Sequence, residues 1–255
     1  MEIIKSNQNQ KVKLWNSLKT AKGRKQSGTY LLDGWHSVNE AIKANASFQA
    51  IIGTEKQIEE HLSEIPHGVP AIIVSDEVAN HIADTNSPQG IFAQTSIPNN
   101  SFDPKYVHNG KWLFLDSLQD PGNIGTLIRT ADAAGFYGVV LGSGSTDLYN
   151  PKLIRSMQGS QFHLKVINDA NLLEFTDAFI ANGINVYGTS IDEKAVNYKE
   201  VTFQNDFALI LGNEGNGVSQ ELLNKSSSNL YIPIYGKAES LNVSVAGGIL
   251  IFALI

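Results

Sequence analysis

Three short stretches place polar residues where chemistry could be done. In "DSLQDPGNIGTLIRTADAAG", residues 116–135, an apolar run gives way to Pro121-Gly122-Asn123, a turn signal in which Asn123 is set to cap a helix from about Ile124. Ile124, Leu127, Ile128 and Ala131 then share one helical face, and Arg129 lies about 140° from Ile124, off that face and beside Gly125. A guanidinium held near strand ends can grip a phosphate or stabilise a developing oxyanion; pairing with Asp132 three residues on is the plainer alternative. In "LILGNEGNGVS", the glycine-rich turn from Gly212 to Gly217 lets main chain approach a ligand closely, and Glu214 adds a carboxylate. No Gly-Lys-Ser or Gly-Lys-Thr follows, so it is not a phosphate loop. In "YIPIYGKAESLNVSVAGGILIFALI", Ser240 and Asn242 stand at the mouth of an apolar helix from about Ser240, where capping alone would explain both.

These loops need a scaffold that brings them together. The runs "WLFLD", "GVVLG", "INVYGTS", "FALILGNE" and "LYIPI" alternate with helical stretches from about Ile124, near Pro151–Gly159 and from about Ser240. Buried strands separated by helices predict an α/β fold: a mostly parallel sheet with helices on both faces and ligands at the carboxyl ends of its strands. "LGSGSTD" at 141–147 mimics a dinucleotide-binding turn, but Asp147 stands where the third glycine belongs. Upstream, "NQKVKLWNSL" and "HSVNEAIKAN" read as helices, and "TYLLDG", "QAIIGT" and "PAIIVS" as strands, giving a small α/β unit. The proline-bearing, polar span "SPQGIFAQTSIPNNSFDPKYVHNGK" breaks any periodicity. The chain therefore divides into a first domain over 1–97, a linker over 98–108 and a second domain over 109–255.

Composition narrows the classes. The 255 residues are 42% hydrophobic and 17% charged, as expected of a chain with a real core. No apolar run approaches the roughly 18 residues of a membrane span, and the N-terminus lacks a hydrophobic signal core, so a cytoplasmic location is expected. The absence of cysteine excludes thiolate chemistry, and the six histidines show no zinc-like pairing, so no metal is expected. The net charge is −6, yet residues 1–30 carry seven cations against Glu2, leaving −12 on the rest. A basic leading segment on an acidic body can contact phosphate locally, or be simply solvated.

Together the three stretches resemble, in order and spacing, the three motifs of the SpoU class of SPOUT RNA methyltransferases, over about residues 110–255. "SNQNQKVK", "LLDG" and "TNSPQGIFA" are similar to the ribosomal-protein-like substrate-binding domain often attached to this class, with Asp33 where glutamate is commoner. The resemblance implies a deep trefoil knot, which periodicity could not have revealed. It implies S-adenosylmethionine bound by Thr189, Gly212, Ile232 and Leu241, although Ile232 and Leu241 would also suit a core. It implies methyl transfer to a ribose 2′-hydroxyl by Arg129, with Asn123, Glu214, Ser240 and Asn242 at the other polar positions. Arginine is a poor base at neutral pH, so phosphate and alkoxide stabilisation suit Arg129 better than proton removal. Glu214 could anchor Arg129 or the turn around it. The class also implies a homodimer. The added N-terminal domain favours ribosomal RNA, particularly of the large subunit, over tRNA; Trp15, if not a core residue, could stack on a base, and Lys152, Arg155 and Lys165 could extend the RNA surface. A noncatalytic RNA-binding or ribosome-assembly protein and an open α/β nucleotide-cofactor enzyme are the rival readings.

Overall fold

The computed structural model describes residues 2–98, 109–192 and 194–255. The chain forms two compact units: Met1–Asn99 with Tyr149–Phe162, and Asn100–Leu148 with His163–Ile255. Apart from residue 98, the expected linker lies outside the described residues. The segment Tyr149–Phe162, which is continuous with the second domain in sequence, belongs by its contacts to the first unit.

The first unit contains β1 (Glu2–Ile4), α1 (Gln10–Ser17), α2 (Ala21–Ser27), β2 (Thr29–Asp33), α3 (Trp35–Lys43), β3 (Phe48–Gly53), α4 (Glu55–His61), β4 (Ala71–Val74), α5 (Asp76–Ile82) and β5 (Ile91–Ser96). Its sheet has the order β1-β4-β3-β5-β2, with β5 antiparallel to both neighbours. The sequence reading missed β5. Its residues Ile91 to Thr95 are all buried, so the alternation that marks a half-exposed strand is absent, and flanking prolines mask it. Val12, Trp15, Ile52, Ile72, Val78 and Phe92 meet in the core. The joining segment is pinned to this unit by a bond between His36 Nε2 and the Gln158 carbonyl (2.9 Å) and by Tyr30 against Tyr149 (ring centroids 4.8 Å apart).

The second unit is built on β6 (Lys111–Asp116), α6 (Pro121–Ala133), β7 (Gly138–Gly142), then, after α7 (Pro151–Met157) of the first unit, β8 (Lys165–Ala170), α8 (Leu172–Ala181), β9 (Asn185–Thr189), β10 (Val196–Asn197), β11 (Phe207–Gly212), α9 (Gln220–Lys225), β12 (Ser228–Tyr231) and α10 (Val243–Ala253). Every pairing in its seven-stranded sheet, β10-β12-β9-β11-β6-β7-β8, is parallel. The expected parallel sheet with flanking helices is therefore present. Its central strands are buried along their length because helices cover them, which is why "WLFLD", "GVVLG" and "FALILG" are unbroken apolar runs. Trp112, Phe114, Phe175 and Phe179 interlock edge-to-face in this core. Among the described residues, no helix is long and apolar enough to cross a membrane.

Candidate active site

Two helix starts differ from the sequence reading, and both differences free a side chain. Helix α6 is capped by Asp120, whose Oδ1 accepts from the Asn123 amide (2.8 Å), with Pro121 in the first turn. Asn123 is thus the third helical residue and not the cap; the Asp-Pro pair is the stronger start signal. Helix α10 is capped by Asn242, whose Oδ1 accepts from the Ser244 and Val245 amides and from Ser244 Oγ. Ser240 is exposed in the preceding loop and not at the helix mouth.

The strand exits of β6 and β11 are tied to each other. Gly212 pairs with Asp116 across the two strands, and Asp116 Oδ2 accepts from the Ser219 amide at 2.8 Å. A Cβ at Gly212 would lie 2.0 Å from the Gly217 carbonyl carbon, so only glycine lets the turn fold back. Asn213 closes that turn: its Oδ1 accepts from the Gly215 and Asn216 amides, and its Nδ2 donates to the Ser117 carbonyl at 2.9 Å. The turn aims Glu214 at the loop before α6, where its carboxylate accepts from the Gln119 and Asp120 amides and from Asn123 Nδ2 (3.2–3.3 Å). Burial pushes the Glu214 carboxyl up, but hydrogen bonds from its own amide, Asn123, Asp120 and Gln119 outweigh it and hold the group below the ordinary carboxylate range.

Asn123 also accepts from Asn242 Nδ2 through its Oδ1 (3.1 Å). Glu214, Asn123 and Asn242, from three distant segments, form one continuous relay. It fastens the start of α10 to the start of α6, and the helices press together further along: a Cβ at Gly247 would lie 2.2 Å from Leu127 Cδ2.

Arg129 lies six residues past Asn123 on α6, about 9 Å along the axis, and is exposed. Asp132, its expected partner, is engaged by His163 Nδ1 at 2.8 Å, and Glu214 is engaged by the loop before α6. Among the described residues Arg129 has no hydrogen bond or ion pair; Glu214, expected to anchor Arg129 or the turn around it, anchors the loop before α6 instead. Of the four other segment positions, three lie at neighbouring strand exits and Leu241 directly precedes the cap of α10. Thr189 ends β9, with its hydroxyl donating to the Ile210 carbonyl (2.9 Å); Ile232 follows β12 half-buried; Gly212 ends β11; Leu241, 37% exposed, is no core residue. Sequence reasoning missed Asp116, Gln119, Asp120 and Asn213. The Asn beside a glycine turn and the Asp before proline were the available signals.

The leading basic segment keeps several cations for the protein itself. Arg24, 3% exposed, donates to the Leu18 carbonyl; Lys11 pairs with Glu2 and Lys19 donates to the His81 carbonyl. Trp15 is 1% exposed, with its indole N–H on Gln94 Oε1 at 3.0 Å, and cannot stack on a base. Arg155, expected on an RNA surface, pairs with Asp84; Lys152 and Lys165 are exposed. Among the described residues no cluster of His, Cys, Asp and Glu could hold a metal ion.

Residues 111–252 match the SpoU rRNA methylase family model, and residues 9–93 match that of an MRM3-like substrate-binding domain. The chain is 43% identical, over its whole length and 99% of the relative, to the 23S rRNA (guanosine(2553)-2′-O)-methyltransferase RlmP of Bacillus subtilis. An AdoMet-bound rRNA methyltransferase from Sinorhizobium meliloti superposes with a TM-score of 0.89 at 27% identity, covering 99% of this chain and 97% of that one. An RNA 2′-O ribose methyltransferase superposes at 0.82 and 25% identity, covering 99% and 97%.

Proposed function

The chain belongs to the SpoU rRNA methylase family, and on that premise we propose that it transfers a methyl group from S-adenosylmethionine to a ribose 2′-hydroxyl of large-subunit ribosomal RNA. The observation that carries this reading is the relay from Glu214 through Asn123 to Asn242, which draws three loops at the strand exits into one polar site at the start of the helix that carries Arg129. The full-length likeness to a 23S rRNA enzyme supports the substrate class.

The cofactor's contribution is an electrophilic methyl on a sulfonium. The chain's residues fit such a group: the exits of β9, β11 and β12 offer main-chain donors and acceptors at Thr189 and Gly212, with Ile232 and Leu241 as apolar walls for a purine. None of these four carries a charge. The chemistry then asks for an oxygen nucleophile in line with the methyl and for relief of the negative charge that grows on it. Arg129 meets the second need, since its five N–H donors can hold a phosphate and face a developing alkoxide while it stays protonated. Asn123, Glu214 and Asn242 fix the helix that carries Arg129, and Ser240 stands exposed at the rim, where it can meet substrate.

The exposed face of α10 supports a homodimer. Val245, Ile249 and Phe252 recur at helical spacing with 52%, 37% and 53% exposure, an apolar stripe that a second copy would cover. The family's trefoil knot fits the path after β12, which returns past β9 and β11 to lay α10 on α6. A domain plan of an RNA-binding first unit and a methyltransferase second unit accords with the two family matches, and ribosomal RNA as substrate accords with the cytoplasm.

The deciding experiment incubates the purified protein with labelled S-adenosylmethionine and unmodified 23S rRNA, tRNA or 16S rRNA, and maps 2′-O-methylated nucleotides. Label in 23S rRNA alone is expected. Label confined to tRNA would move the substrate while leaving the chemistry, and label in none would end the proposal.

A further inference from the structure

The loop from β12 to α10 is anchored at both ends and bare between them. One end, at Ile232, borders the proposed cofactor pocket; the other, at Asn242, is bonded to Asn123 on the helix of Arg129. Residues 234–241 are all exposed, and a Cβ at Gly236 would meet nothing within 4 Å. At the apex stand Tyr235, 89% exposed, and Lys237. Among the described residues neither makes a hydrogen bond, ion pair or ring contact, whereas every aromatic of the second unit's core is packed on another.

An aromatic ring held almost wholly in water is an unfavourable arrangement unless something covers it. The pairing of a planar ring with an ammonium two residues on narrows what that is. A base offers a π-face to the ring and its adjoining phosphate a charge to the amine, which is how proteins hold single-stranded or splayed-out nucleotides. The position agrees: the loop ties the cofactor side of the site to the arginine side. Glu239 lies on the same loop and offsets the charge of Lys237, so the ring and not bulk attraction sets the preference.

We propose that Tyr235 and Lys237 form a nucleotide clamp, in which Tyr235 stacks on an unpaired base next to the methylated ribose and Lys237 contacts its phosphate. The clamp rests on the RNA-methyltransferase reading above. It adds that the substrate is an RNA segment with an unstacked nucleotide, a loop or bulge, and not a continuous duplex.

The test measures binding and methyl transfer with a 23S rRNA fragment for the full chain and for Tyr235→Ala, Tyr235→Trp and Lys237→Ala. Tyr235→Ala is expected to weaken RNA binding and raise the KM for RNA about tenfold or more, and Tyr235→Trp to restore both. Lys237→Ala is expected to reduce the slope of log affinity against log salt by about one. Cofactor affinity by calorimetry and oligomeric state by sedimentation are read on the same variants. An unchanged RNA KM for Tyr235→Ala overturns the clamp, as does a loss confined to cofactor binding or to self-association. Failure of the wild-type chain to methylate any RNA would instead remove the reading on which the clamp stands.

Discussion

The two units treat an arginine in opposite ways. On α2 of the first unit, Arg24 is enclosed and gives a donor to the carbonyl of Leu18, at a corner where α1 and α2 meet so closely that Gly23 has no room for a Cβ. On α6 of the second unit, Arg129 stands in water while its neighbour Asp132 serves His163 and its expected anchor Glu214 serves a loop. A cation taken out of water must have its donors met by the protein. A cation left in water, with nearby acids already bonded elsewhere, stays open to an outside anion. Charge counted along the chain does not separate the two cases; the leading segment is the most basic, yet it consumes Arg24, Lys11 and Lys19 internally.

That contrast can be broken most sharply by removing each arginine. Arg129→Ala is expected to lower kcat/KM for RNA methylation by about a hundred- to thousandfold, the usual loss for one oxyanion donor, while thermal denaturation shifts little because the side chain is exposed. Arg24→Ala is expected to cost about 2–4 kcal/mol in urea unfolding, from an unpaired carbonyl and an unfilled space, with the folded fraction retaining its rate per molecule. If Arg24→Ala kept full stability, or Arg129→Ala lost it, the division between structural and chemical arginines would fail.

Smaller effects sharpen the comparison within each unit. Glu214→Gln removes the charge on which three donors converge, and roughly tenfold slower methylation is expected. The pH profile gives the sign. Because the folded carboxyl is held below its ordinary value, its bonds are intact above the usual carboxylate range near about 4.3 and are lost as pH falls through the lowered value. Wild type should show this acid limb in thermal stability, and Glu214→Gln should not. Trp15→Phe, the mildest change, deletes the bond to Gln94 for about 1 kcal/mol. A filter-binding isotherm for RNA should not move, and a weakened one would return Trp15 to the interface.

The residues that the structure brings together were legible because they sit in long motifs at strand exits, where main-chain geometry restricts the choice of side chain. Glycine at 212 is forced by the folded-back turn, and Asn123, Glu214 and Asn242 do meet. The caps were less legible. Asp120, Asn123, Ser240 and Asn242 all cap well in isolation, and the choice between them depends on where Pro121 and the loop bonds place the first turn. Strand β5 escaped because burial on both faces erases its alternation. The membership of Tyr149–Phe162 in the first unit could not be read at all, since contiguity in sequence says nothing of which sheet a helix covers. Arg155 illustrates the cost: its partner Asp84 lies 71 residues away.

The amide relay also constrains where a proton can travel. Each asparagine presents its oxygen toward α10 and its nitrogen toward Glu214, so the direction of donation runs one way and neither amide has basicity to offer. The sole group in the relay able to take a hydrogen ion is a carboxylate already surrounded by donors and made less basic by them. On the proposed chemistry, a hydroxyl deprotonated beside this relay would find no strong acceptor within it, and its hydrogen ion would leave by a route outside these three side chains.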